Sequence, residues 1–134
     1  MNSEQAIRIM EEVNKAVIGK KESIIKIMTA ILAQGHILID DIPGVGKTTM
    51  AMAFSQAMAL SHRRIQFTPD VMPADITGFS VYQKESESFV YQNGLAMCNL
   101  LLADEINRTS PKTQSALLEV MEEGKVTVDG VTRE

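Results

Sequence analysis

Two short stretches of the sequence carry residue types suited to phosphate chemistry. The first is Pro43-Gly44-Val45-Gly46-Lys47-Thr48. Small residues let consecutive backbone N–H groups turn toward an anion, and a helix starting at the lysine would present its N-terminus to the same charge. In that reading Lys47 reaches the β- and γ-phosphates of a nucleotide, and the Thr48 hydroxyl ligates Mg²⁺. The strict G-x-x-x-x-G-K-[ST] pattern fails at one place, because Asp41 stands where the first glycine belongs. The bland alternative is a glycine-rich strand-to-helix turn with an exposed lysine.

The second stretch is Leu100-Leu101-Leu102-Ala103-Asp104-Glu105, an apolar run ending in two carboxylates. Asp104 is placed to hold Mg²⁺ through water, and Glu105 to polarise the water that attacks a γ-phosphate. Two acids after a buried strand can also be plain solvent-facing residues. Their position downstream of a phosphate loop favours the first reading, because two weak signals occur in the right order.

These groups need elements to hold them. Ser3 is a plausible helix N-cap, followed by Ile7, Met10, Val13 and Val17 at helical spacing. A second helix is expected from about Lys21 to Gln34, with Ile24, Ile25, Met28, Ile31 and Leu32 on its apolar side and Gly35 as its stop. His36 to Asp40 reads as a short buried strand leading into the glycine loop, and a helix is expected from Lys47 to about Leu60. Arg63 to Phe67 reads as a strand, Thr68 to Gly78 as loop with one helical turn, and Leu100 to Ala103 as a third core strand. Phe79-Ser80-Val81-Tyr82 and Ser88-Phe89-Val90-Tyr91 alternate apolar and polar residues across Lys84-Glu85-Ser86-Glu87, which predicts a hairpin. Ser110-Pro111 opens a helix that Gly124 closes, and Asp129-Gly130 forms the turn of a last hairpin. Strands alternating with helices imply an α/β layered fold with a mainly parallel sheet.

Bulk properties narrow the function classes. The chain has 134 residues, 45% hydrophobic and 22% charged, enough for one ordinary globular domain. A net charge of −4 disfavours unspecific binding to nucleic acid, and the basic pair Arg63-Arg64 is too short to change that. The single cysteine, Cys98, reads as a small core residue in preference to a catalytic thiol. No secretory signal is visible, and the apolar runs are far shorter than a membrane span. A cytoplasmic location is expected.

The sequence resembles the N-terminal part of a MoxR-type AAA+ ATPase. The matching stretches are Asp40 to Thr48, Arg64-Ile65-Gln66-Phe67-Thr68-Pro69-Asp70, Met72-Pro73-Ala74-Asp75-Ile76-Thr77-Gly78, and Asn99 to Arg108. The last of these continues into Pro111 to Glu119 and Met121-Glu122-Glu123. The resemblance runs from about Val17 onward. One departure follows Gly94, where the family has a proline and a bulky aromatic and this chain has Leu95, Ala96 and Met97.

The resemblance implies ATP and Mg²⁺ as cofactors, with Pro43, Gly44, Val45, Gly46, Lys47, Thr48 and Thr49 around the nucleotide, Thr48 and Asp104 toward the metal, and Glu105 and Lys47 in catalysis. It makes Val17-Ile18-Gly19 an adenine-contacting turn, with an ordinary helix break as the alternative. Gln66 becomes either a γ-phosphate sensor that positions Glu105 or a polar residue at a strand edge. Asn107 and Arg108 fall near a subunit interface, and the hairpin 79–91 becomes the insert that marks the clade.

The fold implied is a P-loop NTPase (AAA+) three-layer sandwich over residues 1–134, truncated before the sensor-1 strand and the lid. In that fold the sensor-1 strand lies between the phosphate-loop strand and the Asp104-Glu105 strand. The expected function is Mg²⁺-dependent ATP hydrolysis used in chaperone-like remodelling or assembly of partner proteins. The full-length protein would form a hexameric ring, with von Willebrand factor A-domain proteins as possible partners. The alternative is a nucleotide-binding or assembly fragment without turnover, and the isolated chain is expected to hydrolyse ATP negligibly. A P-loop kinase is disfavoured, because no cluster of lid arginines is present.

Overall fold

A computed structural model describes residues 1–40 and 46–134. The chain divides into two compact units, Met1–His62 and Arg63–Glu134.

The first unit is helical. Helix α1 spans Ser3–Ala16, α2 Lys21–Leu32 and α3 Lys47–Ala57. The cap of α1 is Asn2, one residue earlier than the sequence reading placed it. Asn2 Oδ1 accepts from the Gln5 N–H, and Gln5 Oε1 accepts from the Asn2 N–H, a closed capping box. Asn2-x-x-Gln5 can satisfy two orphan amides, whereas Ser3 has Ala6 three residues on and can satisfy only one. The buried side of α1 is Ala6 and Val13, flanked by Ile9 and Met10, while Ile7 is exposed. In α2 the buried side is Ile24 and Met28, and Ile25 and Leu32 are exposed. These faces meet Val17, Met50, Ala53 and Phe54 in one core.

Helix α2 ends in a Schellman motif. The Gly35 N–H reaches Ala30 O at 2.9 Å and the Gln34 N–H reaches Ile31 O at 3.0 Å. The left-handed residue is Gln34, at φ 55°, and Gly35 is the next one. Residues 36–40 make no ladder among the described residues, which corrects the expected strand. A strand exists by the hydrogen bonds of its neighbours. Without them the apolar run stays open, with Leu38 87% exposed.

The second unit carries the strands. Strand β1 (His62–Gln66) enters it and pairs with β4 (Leu100–Asp104) across a long crossover, in the parallel arrangement of an α/β sheet. Between them lie α4 (Pro73–Thr77) and the antiparallel hairpin of β2 (Gly78–Gln83) and β3 (Ser88–Asn93), in register Gly78↔Asn93 to Gln83↔Ser88. After β4 comes a 3₁₀ turn, Ile106–Arg108, and then α5 (Pro111–Glu123). Ser110 caps α5 through the Thr113 N–H, and Gly124 closes it. A short hairpin of β5 (Val126–Val128) and β6 (Val131–Arg133) ends the unit, with Asp129 at φ 51° and Gly130 at φ 75°, as a type I′ turn requires.

The core of this unit is Phe67, Ile76 and Leu117, packed by Ile65, Leu101, Ala103, Val120 and others. Period-2 alternation follows. Ile65 and Phe67 of one segment and Leu101 and Ala103 of the other face this core, which leaves Arg64, Gln66 and Asp104 on the opposite face. The segment from Thr68 to Met72 is tied down from below. The fully buried Thr113 donates its hydroxyl to Val71 O at 2.8 Å, and Thr109 adds a second bond to the same oxygen at 3.3 Å.

Candidate functional site

The lysine side of the candidate site belongs to the first unit. Gly46 is the N-cap of α3 in the left-handed region, at φ 69° and ψ 8°, and makes no side-chain cap. A side chain there would meet no atom of the described residues within 4 Å, and its left-handed backbone favours glycine. The chain thus swings directly into the helix, and Lys47 and Thr48 occupy its first two positions, both half-buried, with Thr49 exposed. The first turn of a helix has amides without intrahelical partners, which suits an anion. Met50, Ala53 and Phe54 anchor the same helix in the core. Pro43, Gly44 and Val45 lie outside the described residues, as does Asp41.

The proposed adenine turn is split in character. Val17 is buried and caps α1 by donating its N–H to Val13 O, so its side chain serves the core. Ile18 is 86% exposed, and Gly19 bends the chain at φ 81°. Of the three, Ile18 is the side chain open to solvent.

The acidic side belongs to the second unit. Asp104 ends β4, where its carbonyl accepts the Phe67 N–H at 2.8 Å. Its Oδ2 accepts from Arg64 Nη2 at 2.9 Å, with side chains 27% and 51% exposed respectively. Glu105 follows in the left-handed region, at φ 56° and ψ 41°, and its carbonyl accepts from the Arg108 N–H at 3.0 Å. A non-glycine residue there costs about 1–2 kcal/mol, so the surroundings must hold it. The Gln114 amide does so, donating to Ile106 O at 3.3 Å and Thr109 O at 3.2 Å. Glu105 is exposed, directly after the strand that carries Asp104. Gln66 is exposed on the Arg64 face of β1, and Asn107 and Arg108 are exposed on the 3₁₀ turn.

Comparison with known proteins places the chain in a family. Residues 36–134 match the model of the ATPase family associated with various cellular activities (AAA). The chain belongs to this AAA family, in its MoxR-type branch. It is 53% identical to YeaC of Bacillus subtilis (strain 168), a protein of uncharacterised function, over 125 residues that cover 93% of this chain and 39% of YeaC. It is 41% identical to Chaperone MoxR1 of Mycobacterium tuberculosis, covering 93% of this chain and 33% of that protein. The fold superposes on the crystal structure of a candidate ATPase from Cytophaga hutchinsonii with a TM-score of 0.84 at 38% identity, covering 97% of this chain and 39% of the other. The chain thus spans about two fifths or less of the relatives it matches.

The donor chemistry of this AAA chain fits a hard cation. The Thr48 hydroxyl and the Asp104 carboxylate are oxygen ligands of the kind Mg²⁺ takes. Among the described residues no group of three or more His, Cys, Asp or Glu gathers into a metal cage. Mg²⁺ in nucleotide sites relies on one or two protein oxygens plus phosphates and water, and needs no such cage. Cys98 takes no part. Burial pushes its thiol pKa up, the nearby Arg63 only partly opposes this, and its sulfur contacts Leu95 O and Leu100 O at 3.4 Å. Among the described residues, no helix is long and apolar enough to cross a membrane.

Sequence reasoning missed Arg64 and Gln114 as supports of the two acids. The basic pair Arg63-Arg64 divides across the strand, with Arg63 donating to Gly94 O at 3.0 Å on one side and Arg64 bonding to Asp104 on the other. A charged residue alternating with Gln66, in a strand able to pair with one that ends in Asp, was the available signal.

Proposed function

We propose that this chain supplies the nucleotide-binding part of a MoxR-type AAA+ ATPase, which binds ATP with Mg²⁺ and hydrolyses it. The observation that carries the reading is the left-handed Gly46 opening α3 at Lys47 and Thr48, within the stretch that matches the AAA model. In this reading residues 1–134 form one partial ATPase core, and the hairpin 79–91 is its insert. Pro43 to Thr49 surround the phosphates, and the Lys47 ammonium neutralises the β- and γ-phosphate oxygens. Thr48 and Asp104 would hold the metal. Mg²⁺, when bound, offsets charge that builds on the transferred phosphoryl oxygens. Glu105, exposed in a left-handed backbone just after β4, orients and polarises the attacking water. The turn Val17-Ile18-Gly19 lies toward the adenine through its backbone and the exposed Ile18, with the Val17 side chain in the core.

The biological role follows MoxR1, a relative known as a chaperone: remodelling or assembly of partner proteins, with von Willebrand factor A-domain proteins as candidate partners. A cytoplasmic hexameric ring without nucleic-acid binding completes the reading. Titration with a fluorescent ATP analogue tests it. Lys47→Ala should abolish binding. Glu105→Gln should keep binding and remove turnover, and Asp104→Asn should weaken the Mg²⁺ dependence of binding. Undiminished affinity in folded Lys47→Ala protein would reject the phosphate-loop assignment.

A further inference from the structure

The carboxylate assigned to Mg²⁺ already holds a cation in the protein itself. Asp104 sits at the end of β4, and Arg64 lies on β1, the strand hydrogen-bonded to it. The Phe67 N–H bonded to Asp104 O fixes the strands against each other at this point. Arg64 therefore reaches across the pair on the face away from the core and donates Nη2 to Asp104 Oδ2 at 2.9 Å. The neighbouring Arg63 is engaged elsewhere, on the Gly94 carbonyl. Each carboxylate oxygen has about two lone-pair sites, so a single Arg bond orients the group without saturating it. With half of its side chain exposed, the guanidinium can swing away into water at small cost.

We propose that Arg64 is a positioning residue, the resident counter-ion of Asp104. It holds the carboxylate in the metal-free site and gives it up when Mg²⁺ arrives with nucleotide, so that it sets the Mg²⁺ concentration at which the site loads. The inference rests on the ATPase reading above. Two cations compete for one carboxylate, so removing the internal one favours the external one. The competition is modest, because a half-exposed ion pair is weak.

The test is a Mg²⁺ titration of the purified protein at fixed fluorescent ADP analogue, chosen because a diphosphate alone holds Mg²⁺ less firmly than a triphosphate does. The readout is the Mg²⁺ midpoint of analogue binding. Arg64→Ala should lower the midpoint about two- to five-fold, the range set by the usual strength of an exposed pair. Arg64→Lys, which keeps the charge, should return it most of the way. In an Asp104→Asn background Arg64→Ala should shift nothing, an outcome that a general loss of structure would not give. A midpoint that is unchanged or raised in Arg64→Ala, or the same fall in the Asp104→Asn background, overturns the proposal. Absence of analogue binding to the folded wild-type protein at saturating Mg²⁺ would instead overturn the ATPase reading and the proposal with it.

Discussion

Gly94 is the position where one added carbon should do most damage. It follows β3, where the chain turns back beneath α4. A Cβ at Gly94 would stand 2.2 Å from Ile76 O, 2.3 Å from Gly78 N and 2.6 Å from Ile76 C. All three are backbone atoms, so no flexible side chain can move aside. An ordinary contact needs about 1 Å more at each. Moving the 94–96 backbone by that much strains three hydrogen bonds: the Leu95 N–H to Asp75 O at 2.9 Å, the Ala96 N–H to Ile76 O at 3.0 Å, and Arg63 to Gly94 O at 3.0 Å. Overpacking alone costs about 1–3 kcal/mol, and each hydrogen bond contributes about 0.5–1.5 kcal/mol net. With the bonds partly retained, Gly94→Ala should lose about 2–4 kcal/mol, a large share of a typical domain's 5–15 kcal/mol. The chain has no tryptophan, so urea unfolding is followed by circular dichroism at 222 nm. With a slope of about 1–3 kcal/mol per M, the midpoint should fall by about 1–2 M. Gly35→Ala is the control, since a Cβ there meets Ala30 O at an ordinary 3.6 Å. Equal midpoints for Gly94→Ala and Gly35→Ala would refute the steric reasoning.

Two further changes test how the unit is held. Thr113→Val keeps the shape of a fully buried side chain but removes its hydroxyl bond to Val71 O, leaving only the longer one from Thr109. Stability should fall by about 1–3 kcal/mol in thermal melts, and an unchanged melting temperature would show that the clip contributes nothing. Replacing Lys84–Glu87 by Asn-Gly should leave binding of the fluorescent ATP analogue and the melting temperature unchanged, because that loop lies beyond the Gln83↔Ser88 pair and is exposed throughout. Loss of folding in that variant would make the hairpin tip part of the core.

Local grammar was legible in the sequence wherever a residue's demand is met within a few positions. Ser110-Pro111 and Gly124 bound α5 as expected, and Asp129-Gly130 turns its hairpin with both residues at positive φ. The alternation around Lys84–Glu87 gave the β2–β3 ribbon. Reading failed where two local solutions competed. Gln34 took the left-handed position although glycine was next to it, because the 6→1 bond from Gly35 to Ala30 places the turn one residue earlier. Ile7 and Ile25 satisfied a helical period yet lie outside, since a period fixes a stripe and not which edge of it is covered. The run 36–40 has the composition of a core strand, but composition supplies no partner. The order of loop and acids was legible because each is a contiguous string. The supports of Asp104 and Glu105 were not, because Arg64 and Gln114 reach them through pairing and packing that no single window contains.

The helices that precede the AAA-matched stretch bear directly on α3, the helix that opens at Lys47. The family model begins at residue 36, yet α3, which starts at Lys47, shares its core with Ala6, Val13 and Val17 of the first helical stretch and with Ile24 and Met28 of α2. YeaC and MoxR1 match over 125 residues and 93% of the chain, so the likeness reaches into these helices as well. A helix of eleven residues is marginal by itself in water and takes its stability from the face it buries. For α3 that face is Met50, Ala53 and Phe54, and the residues covering it come from α1 and α2. The direction in which the first turn of α3 presents its amides, and with them Lys47 and Thr48, is therefore fixed by side chains that touch no phosphate. Residues 1–35 act as a brace for α3. If the proposed nucleotide site is right, Val13→Ala or Met28→Ala should weaken binding of the fluorescent ATP analogue through the tilt of α3, and unchanged affinity in either folded variant would refute the brace.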